Sequence, residues 1–219
     1  MEESLARDLS RKLKISVDRI VREYWEMIVL KELSQSDLGD FLVFGGGTAL
    51  RLAYGSPRFS DDMDFCLRRK TSFSLFSSTI KNIEKKYDLK ITDLYNKRFT
   101  FLAELKIDVN YLSLPFLIKI EARKKIVKNG YEPRLLISPT VNFQVLFYVF
   151  SLERIKRLKI KALKDRKEPR DLFDLWFICQ KLKNPFKKPK VKIEKKFLKQ
   201  TLNKYLPLDF QKAVDELIK

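Results

Sequence analysis

Apolar residues return at helical spacing from Glu3 to about Ser36, with Leu5, Leu9 and Leu13 first and Ile20, Val21, Tyr24 and Ile28 after them. The rhythm then changes. Asp40 introduces Phe41-Leu42-Val43-Phe44, an unbroken apolar run that predicts a short buried strand, and three glycines follow at once. Thr48-Ala49-Leu50-Arg51-Leu52-Ala53-Tyr54 opens a helix, which Gly55-Ser56-Pro57 ends. From Asp62 to Leu67 polar and apolar residues alternate, as in a half-buried strand. A further helix is predicted over Phe73–Tyr87, and strands over Leu89–Leu94, Phe99–Tyr111, Phe116–Arg123, Pro133–Ile137 and Val145–Phe150. Hairpins dominate this middle stretch, so the expectation is an α+β sheet domain.

After Ser151, which suits an N-cap, the pattern turns helical and stays so: Leu152–Asp165, Arg170–Leu182, Lys192–Tyr205 and Leu208–Ile218. The expected organisation is an α+β domain with N-terminal helices over residues 1–150 and a basic helical domain over 151–219. Pro185 and Pro189 lie in a connector that is rich in lysine, with seven of fourteen positions between Lys183 and Lys196.

Charge narrows the chemistry. The chain of 219 residues carries 46 Lys/Arg against 28 Asp/Glu, a formal net charge of +18. Residues 151–200 hold 18 basic and 6 acidic residues, so +12 of that excess sits in under a quarter of the length. Two readings stay open for this region: a solvated lysine-rich helical surface, or a face that binds a polyanion. There is no histidine. Ser-His-Asp triads, histidine acid–base chemistry and histidine-ligated metals are thereby excluded, and any metal must be held by carboxylates, which favours hard ions such as Mg²⁺. Cys66 and Cys179 lie in apolar segments and are expected to be buried thiols of a cytoplasmic protein. No apolar run approaches the ~20 residues that span a bilayer, so no membrane partner is expected.

Two local patterns carry candidate chemistry. Asp62 and Asp64, at i and i+2 of a strand, project from one face roughly 6–7 Å apart and can converge on one or two Mg²⁺ ions. Gly45-Gly46-Gly47-Thr48 lies between a strand and a helix start, where backbone N–H groups face an anion and Thr48 can both cap the helix and offer its hydroxyl to a phosphate. It is not a P-loop, because the Gly-Lys-Ser/Thr ending is absent. Acids in later alternating strands, Glu121 and Asp108, are the candidates for a third carboxylate. On the helical side Lys159 and Arg166 lie two turns apart on one face, with Arg170, Asp171 and Asp174 starting the next helix. Asp171 and Asp174 suit a helix start by dipole alone, and an Arg166–Asp174 ion pair joining the two helices is an alternative role.

The glycine turn, the helix, Arg58-Phe59-Ser60 and Asp62-x-Asp64-Phe65 within 21 residues resemble the signature of the DNA polymerase β-like nucleotidyltransferases. More narrowly, Phe44-Gly-Gly-Gly-Thr48-Ala-Leu50, Arg58-Phe-Ser60-Asp-Asp62-Met-Asp64-Phe65 and the block Lys159-x-x-Ala162-Leu163, Arg166, Arg170-Asp171-x-x-Asp174-Leu175 resemble the AbiEii/AbiGii toxin family. The match covers roughly residues 20–180. The resemblance implies that Gly46, Gly47 and Thr48 bind the triphosphate, with Arg58 and Ser60 beside it. It also implies that Asp62 and Asp64 hold the metal (Mg²⁺ or Mn²⁺) with Glu121 as third acid and Asp108 in reserve. Lys159 would meet the nucleotide phosphates, and Asp174 would complete a distal site. Gly45 departs from the pattern, since many members carry Lys or Arg there.

The implied function is transfer of a nucleoside monophosphate from an NTP to an acceptor, which the basic helical region suggests is RNA such as a tRNA 3′ end. The resemblance adds a toxin role and a cognate antitoxin partner. A protein-modifying nucleotidyltransferase and a non-catalytic nucleic-acid-binding module are the alternatives. Antibiotic substrates, often polycations, fit the basic charge less well.

Overall fold

The computed structural model describes residues 1–218. In chain order it contains α1 (Glu3–Leu13), α2 (Val17–Gln35), β1 (Leu42–Gly45), α3 (Gly46–Tyr54), β2 (Asp62–Leu67), α4 (Phe73–Tyr87), β3 (Lys90–Asn96), β4 (Thr100–Ile107), β5 (Phe116–Ile126), β6 (Tyr131–Leu136), β7 (Val145–Phe150), α5 (Leu152–Arg166), α6 (Pro169–Lys181), α7 (Lys195–Asn203) and α8 (Gln211–Ile218). Three details differ from the periodicity. The N-terminal helical stretch breaks at Lys14, whose left-handed backbone ends α1, and α2 begins only at Val17. Phe41 closes a short 3₁₀ turn, so the strand begins at Leu42. Asp108 falls beyond the end of β4, exposed, because the strand stops at Ile107.

The seven strands form one mixed sheet in the order β3-β4-β5-β2-β1-β7-β6. β1 is buried along its whole length, as a central strand covered on both faces should be. It pairs antiparallel with β2 and parallel with β7, and β2 pairs parallel with β5. On one face Met63, Phe65 and Leu67 of β2, Ile118, Ile120 and Ala122 of β5, and Phe101, Ala103 and Leu105 of β4 join a single hydrophobic cluster with Met27, Leu30 and Leu33 of α2 and Phe76, Ile80 and Ile83 of α4. The rings of Phe44, Phe65 and Phe147 meet at its centre with centroids 5.0–6.2 Å apart. The same cluster continues into Ile155, Leu163, Phe173, Leu198, Leu202 and Val214 of the four C-terminal helices.

Strand gives way to helix at Ser151, whose side chain accepts the backbone N–H of Arg154 and so caps α5. A smaller cluster seats α1 on the start of α2 through Ala6, Ile15, Ile20, Val21 and Phe59. No helix among the described residues is long and apolar enough to cross a membrane.

Candidate active site

Strand alternation sends Asp62 and Asp64 to the sheet face opposite Met63, Phe65 and Leu67, which are buried within the hydrophobic cluster; Cys66 shares the face of the acids but also packs against that cluster. β5 does the same with Lys119, Glu121 and Arg123. The parallel register then sets Asp62 beside Lys119, Asp64 beside Glu121 and Cys66 beside Arg123. Asp62, Asp64 and Glu121 are therefore neighbours on one open face, whereas Asp108 lies past the end of β4, about six residues from Leu102, the residue that pairs with Glu121. The structure brings the first three acids together and leaves Asp108 apart.

β1 delivers the glycine turn to the same place, because Gly45 pairs with Asp64. Gly46 takes φ +74°, a backbone that glycine adopts without strain. A Cβ there would lie 2.3 Å from Asp64 Oδ2, and a Cβ on Gly47 would lie 2.3 Å from Arg58 Nη2 and 2.7 Å from Ser60 Oγ. The two glycines thus let one carboxylate, one guanidinium and one hydroxyl close directly onto the turn. A side chain at position 45 would instead strike the Phe150 ring at 2.7 Å.

Two expected roles change. Thr48 lies inside α3 rather than capping it, and its hydroxyl donates to the Asp62 carbonyl at 2.6 Å. It pins β2 to α3 and has no proton left for a phosphate. Arg58 is equally committed: Nε and Nη2 donate to the two oxygens of Asp174 at 2.7 and 2.8 Å, and Nη1 donates to the Phe59 carbonyl. It is a buried bidentate clamp between the β2 approach and α6 rather than a free phosphate ligand.

The distal block is one charge network around two buried aspartates. Lys159 donates to Asp171 Oδ1 at 2.8 Å and its ammonium lies 2.6 Å from Asp174 Oδ2, so at most one of its three protons is left for a nucleotide. Arg166 grips Asp171 in bidentate fashion at 2.6 and 2.9 Å. The Arg166–Asp174 pair is therefore not formed, since Asp174 is already occupied by Arg58. Arg58 and Lys159 together hold the Asp174 carboxyl down at about 2 against its burial. Three cations share two aspartates here, and Lys159 and Arg166 both act electrostatically on Asp64.

Burial pushes the Asp64 carboxyl above its usual range; Arg123 and Lys159 oppose the rise, and Asp62 and Glu121 add to it. Lys119 adds a further cation to this face, with Nζ 3.1 Å from Glu121 Oε1. Among the described residues no three acids already stand close enough to cage an ion. Cys66 is half-buried on this face and Cys179 is buried; both are free thiols.

Asp61 was not legible as a site residue. It points away from the open face and accepts hydrogen bonds from Arg19 of α2 and, at 2.6 Å, from the Tyr205 hydroxyl, with Arg22 at 3.5 Å. Lys119 was legible in principle, since period two puts it on the Glu121 face.

Residues 28–217 match a family profile described as "Nucleotidyl transferase AbiEii toxin, Type IV TA system". The chain belongs to the AbiEii family. A curated relative, the uncharacterized protein aq_aa25 of Aquifex aeolicus (strain VF5), is 27% identical over 189 residues, covering 86% of this chain and 77% of the relative. Two Helicobacter pylori crystal structures share the fold. JHP933 has a TM-score of 0.57 at 20% identity and matches 93% of this chain and 78% of its own. A second, described as a "putative nucleotidyltransferase", has a TM-score of 0.57 at 21% identity, covering 93% and 81%. The AbiEii profile reaches past residue 180 to Ile218's neighbour Leu217, so the C-terminal helices fall within the family match, where the sequence motifs alone had stopped.

Proposed function

We propose that this AbiEii chain is a Mg²⁺-dependent nucleotidyltransferase that moves a nucleoside monophosphate from an NTP to an RNA hydroxyl, acting in the cytoplasm as the toxin of a toxin–antitoxin pair. The observation that carries the reading is the register that aligns Gly45, Asp64 and Glu121 across β1, β2 and β5, with Gly46 closed onto the Asp64 carboxylate.

The N–H groups at the start of α3 face the triphosphate, with the Ser60 hydroxyl beside Gly47. Asp62, Asp64 and Glu121 are hard oxygen donors brought side by side by the β2–β5 register, and so fit a divalent ion. Bound there, Mg²⁺ would neutralise charge developing on the attacking and leaving oxygens. In the transfer the acceptor oxygen bonds to the α-phosphorus as the bond from that phosphorus to the bridging oxygen breaks. Pyrophosphate leaves with that oxygen, and the hydroxyl proton passes to Glu121. Lys159 and Arg166 contribute a positive field from behind Asp64 rather than a direct grip. The net +18 of the chain favours a polyanionic acceptor.

Transfer of α-³²P label from each NTP, with Mg²⁺, onto total RNA and total cell protein tests this. Asp62→Asn/Asp64→Asn should lose at least about 10³-fold of the label while keeping its thermal midpoint. Label in RNA that vanishes in the double variant is the expected result. Label confined to protein would replace RNA by a protein acceptor, and label unaffected by the variant would end the assignment of these acids.

A further inference from the structure

The row that carries Asp62 continues into a cation. Lys119 of β5 is the register partner of Asp62, one row from the Asp64–Glu121 pair. Its neighbours Ile118 and Ile120 are buried in the main hydrophobic cluster, so alternation sends Lys119 out on the face of the acids. Both strands are held from outside the sheet at this level. The Asp62 carbonyl accepts the Thr48 hydroxyl at 2.6 Å, and the Leu117 carbonyl, two residues before Lys119, accepts Arg22 Nη1 at 2.6 Å.

Lys119 has a choice of acids. Glu104 stands opposite it on β4, the cross-strand position at which a lysine ordinarily finds its counter-ion, and Asp93 of β3 extends the same row. The ammonium nevertheless pairs with Glu121, two positions along its own strand, at an Nζ–Oε1 distance of 3.1 Å. It is turned along β5 toward the row of Asp64 rather than across to β4. The two side chains are 35% and 28% exposed, so the pair is partly desolvated yet open to a ligand. The other cations nearby are committed elsewhere or set one row away. Lys159 and Arg166 hold Asp171 and Asp174, Arg58 holds Asp174, and Arg123 lies in the Cys66 row. Among the described ion pairs, Lys119–Glu121 is the one that touches Asp62, Asp64 or Glu121.

Charge and spacing limit what else this face can hold. Three carboxylates less one ammonium leave a formal charge of −2, which a single divalent ion neutralises. Two ions on one set of carboxylates stand about 3.5–4 Å apart. A second ion here would have to share Glu121 Oε1 and the Asp62 row with a like charge. We infer that Lys119 is the built-in second cation of the site: its ammonium takes the position beside Glu121 and restricts the acids to one resident divalent ion, seated on Asp62 and Asp64. Lys119 is thereby a positioning residue, which fixes Glu121 through Oε1 and leaves the other carboxylate oxygen to the acceptor hydroxyl. This rests on the metal-dependent reading above and specifies how many ions that site takes.

The test is a Mn²⁺ titration of the nucleotide-free protein, with free Mn²⁺ read by electron paramagnetic resonance and the binding of Asp62→Asn/Asp64→Asn subtracted as background. The parent should hold one such ion and Lys119→Met two. The first ion on Lys119→Met should also bind about 10-fold more tightly, since a unit charge about 5 Å away no longer opposes it. Lys119→Arg keeps the charge and should hold one ion, as the parent does. A lysine that only stabilised the strand would shift thermal midpoints and leave the count unchanged. A parent that holds two ions or none, or a Lys119→Met variant with the parent's count and affinity, would overturn the inference. The α-³²P assay judges the transferase separately. Label that depends on Asp62 and Asp64 leaves that reading standing whichever way the ion count falls, and label independent of them ends it and the inference together.

Discussion

At the scale of single residues the site depends on atoms that are missing. Gly46 combines a positive φ with a Cβ position 2.3 Å from an Asp64 oxygen, so alanine there strains the backbone and displaces the carboxylate at once. Gly46→Ala is expected to cost about 1–3 kcal/mol of stability and at least about 100-fold in nucleotidyl transfer, read by urea denaturation and by the label assay. A variant with parent-like transfer would show that the closure of the turn onto Asp64 is not needed. Gly45 is a different case. Its extended backbone suits any residue, and only the Phe150 ring forbids a side chain. That Asp62 and Asp64 share a strand face and that glycines separate a strand from a helix was legible because strand period and the glycine turn are local signals, whereas Ser60 was singled out only by the family resemblance. What the hydroxyl of Thr48 and the guanidinium of Arg58 bond to was not legible, since their partners, the Asp62 carbonyl and Asp174, are fixed by packing.

Elements are joined here by buried charge. Arg58 precedes β2 and Asp174 lies in α6, 116 positions later, yet both are almost wholly buried and bonded twice. Removing one partner leaves the other uncompensated, so Asp174→Asn should destabilise by about 3–5 kcal/mol, measured by urea unfolding. A loss below about 1 kcal/mol would mean that solvent reaches the pair. Most helices and strands could be placed from periodicity within a few residues, and Phe73–Tyr87 and Val145–Phe150 coincide with α4 and β7. The break at Lys14 is not legible in the sequence because a left-handed lysine leaves no compositional mark and the apolar stripe continues across it.

For the molecule as a whole, pH gathers these terms into one profile. Asp174 titrates at about 2 in the folded chain against a usual 3.8, so the unfolded chain binds more protons between those values and stability rises with pH across them. Glu26 of α2 is the opposite: it is buried, its Oε1 lacks a hydrogen-bond partner, and burial with Glu23 nearby raises its pKa well above 4.5. The folded chain then holds the extra proton, and stability falls as pH rises above about 4.5 until the raised pKa is passed. Denaturation midpoints of Glu26→Gln from pH 5 to 9 should decline less steeply than those of the parent; parallel profiles would mean that Glu26 is charged in the fold. Strand order was beyond the sequence, because β5 inserts between β4 and β2 and β7 beside β1 through long-range pairings that no local pattern encodes. Those pairings also decide when the site exists. Asp62 and Asp64 leave the ribosome well before Asp174 and Tyr205, the residues that anchor Arg58 and Asp61 just ahead of them. A chain still being translated therefore carries the acids without their settings, and chemical competence arrives only once the C-terminal helices have been synthesised and have folded back.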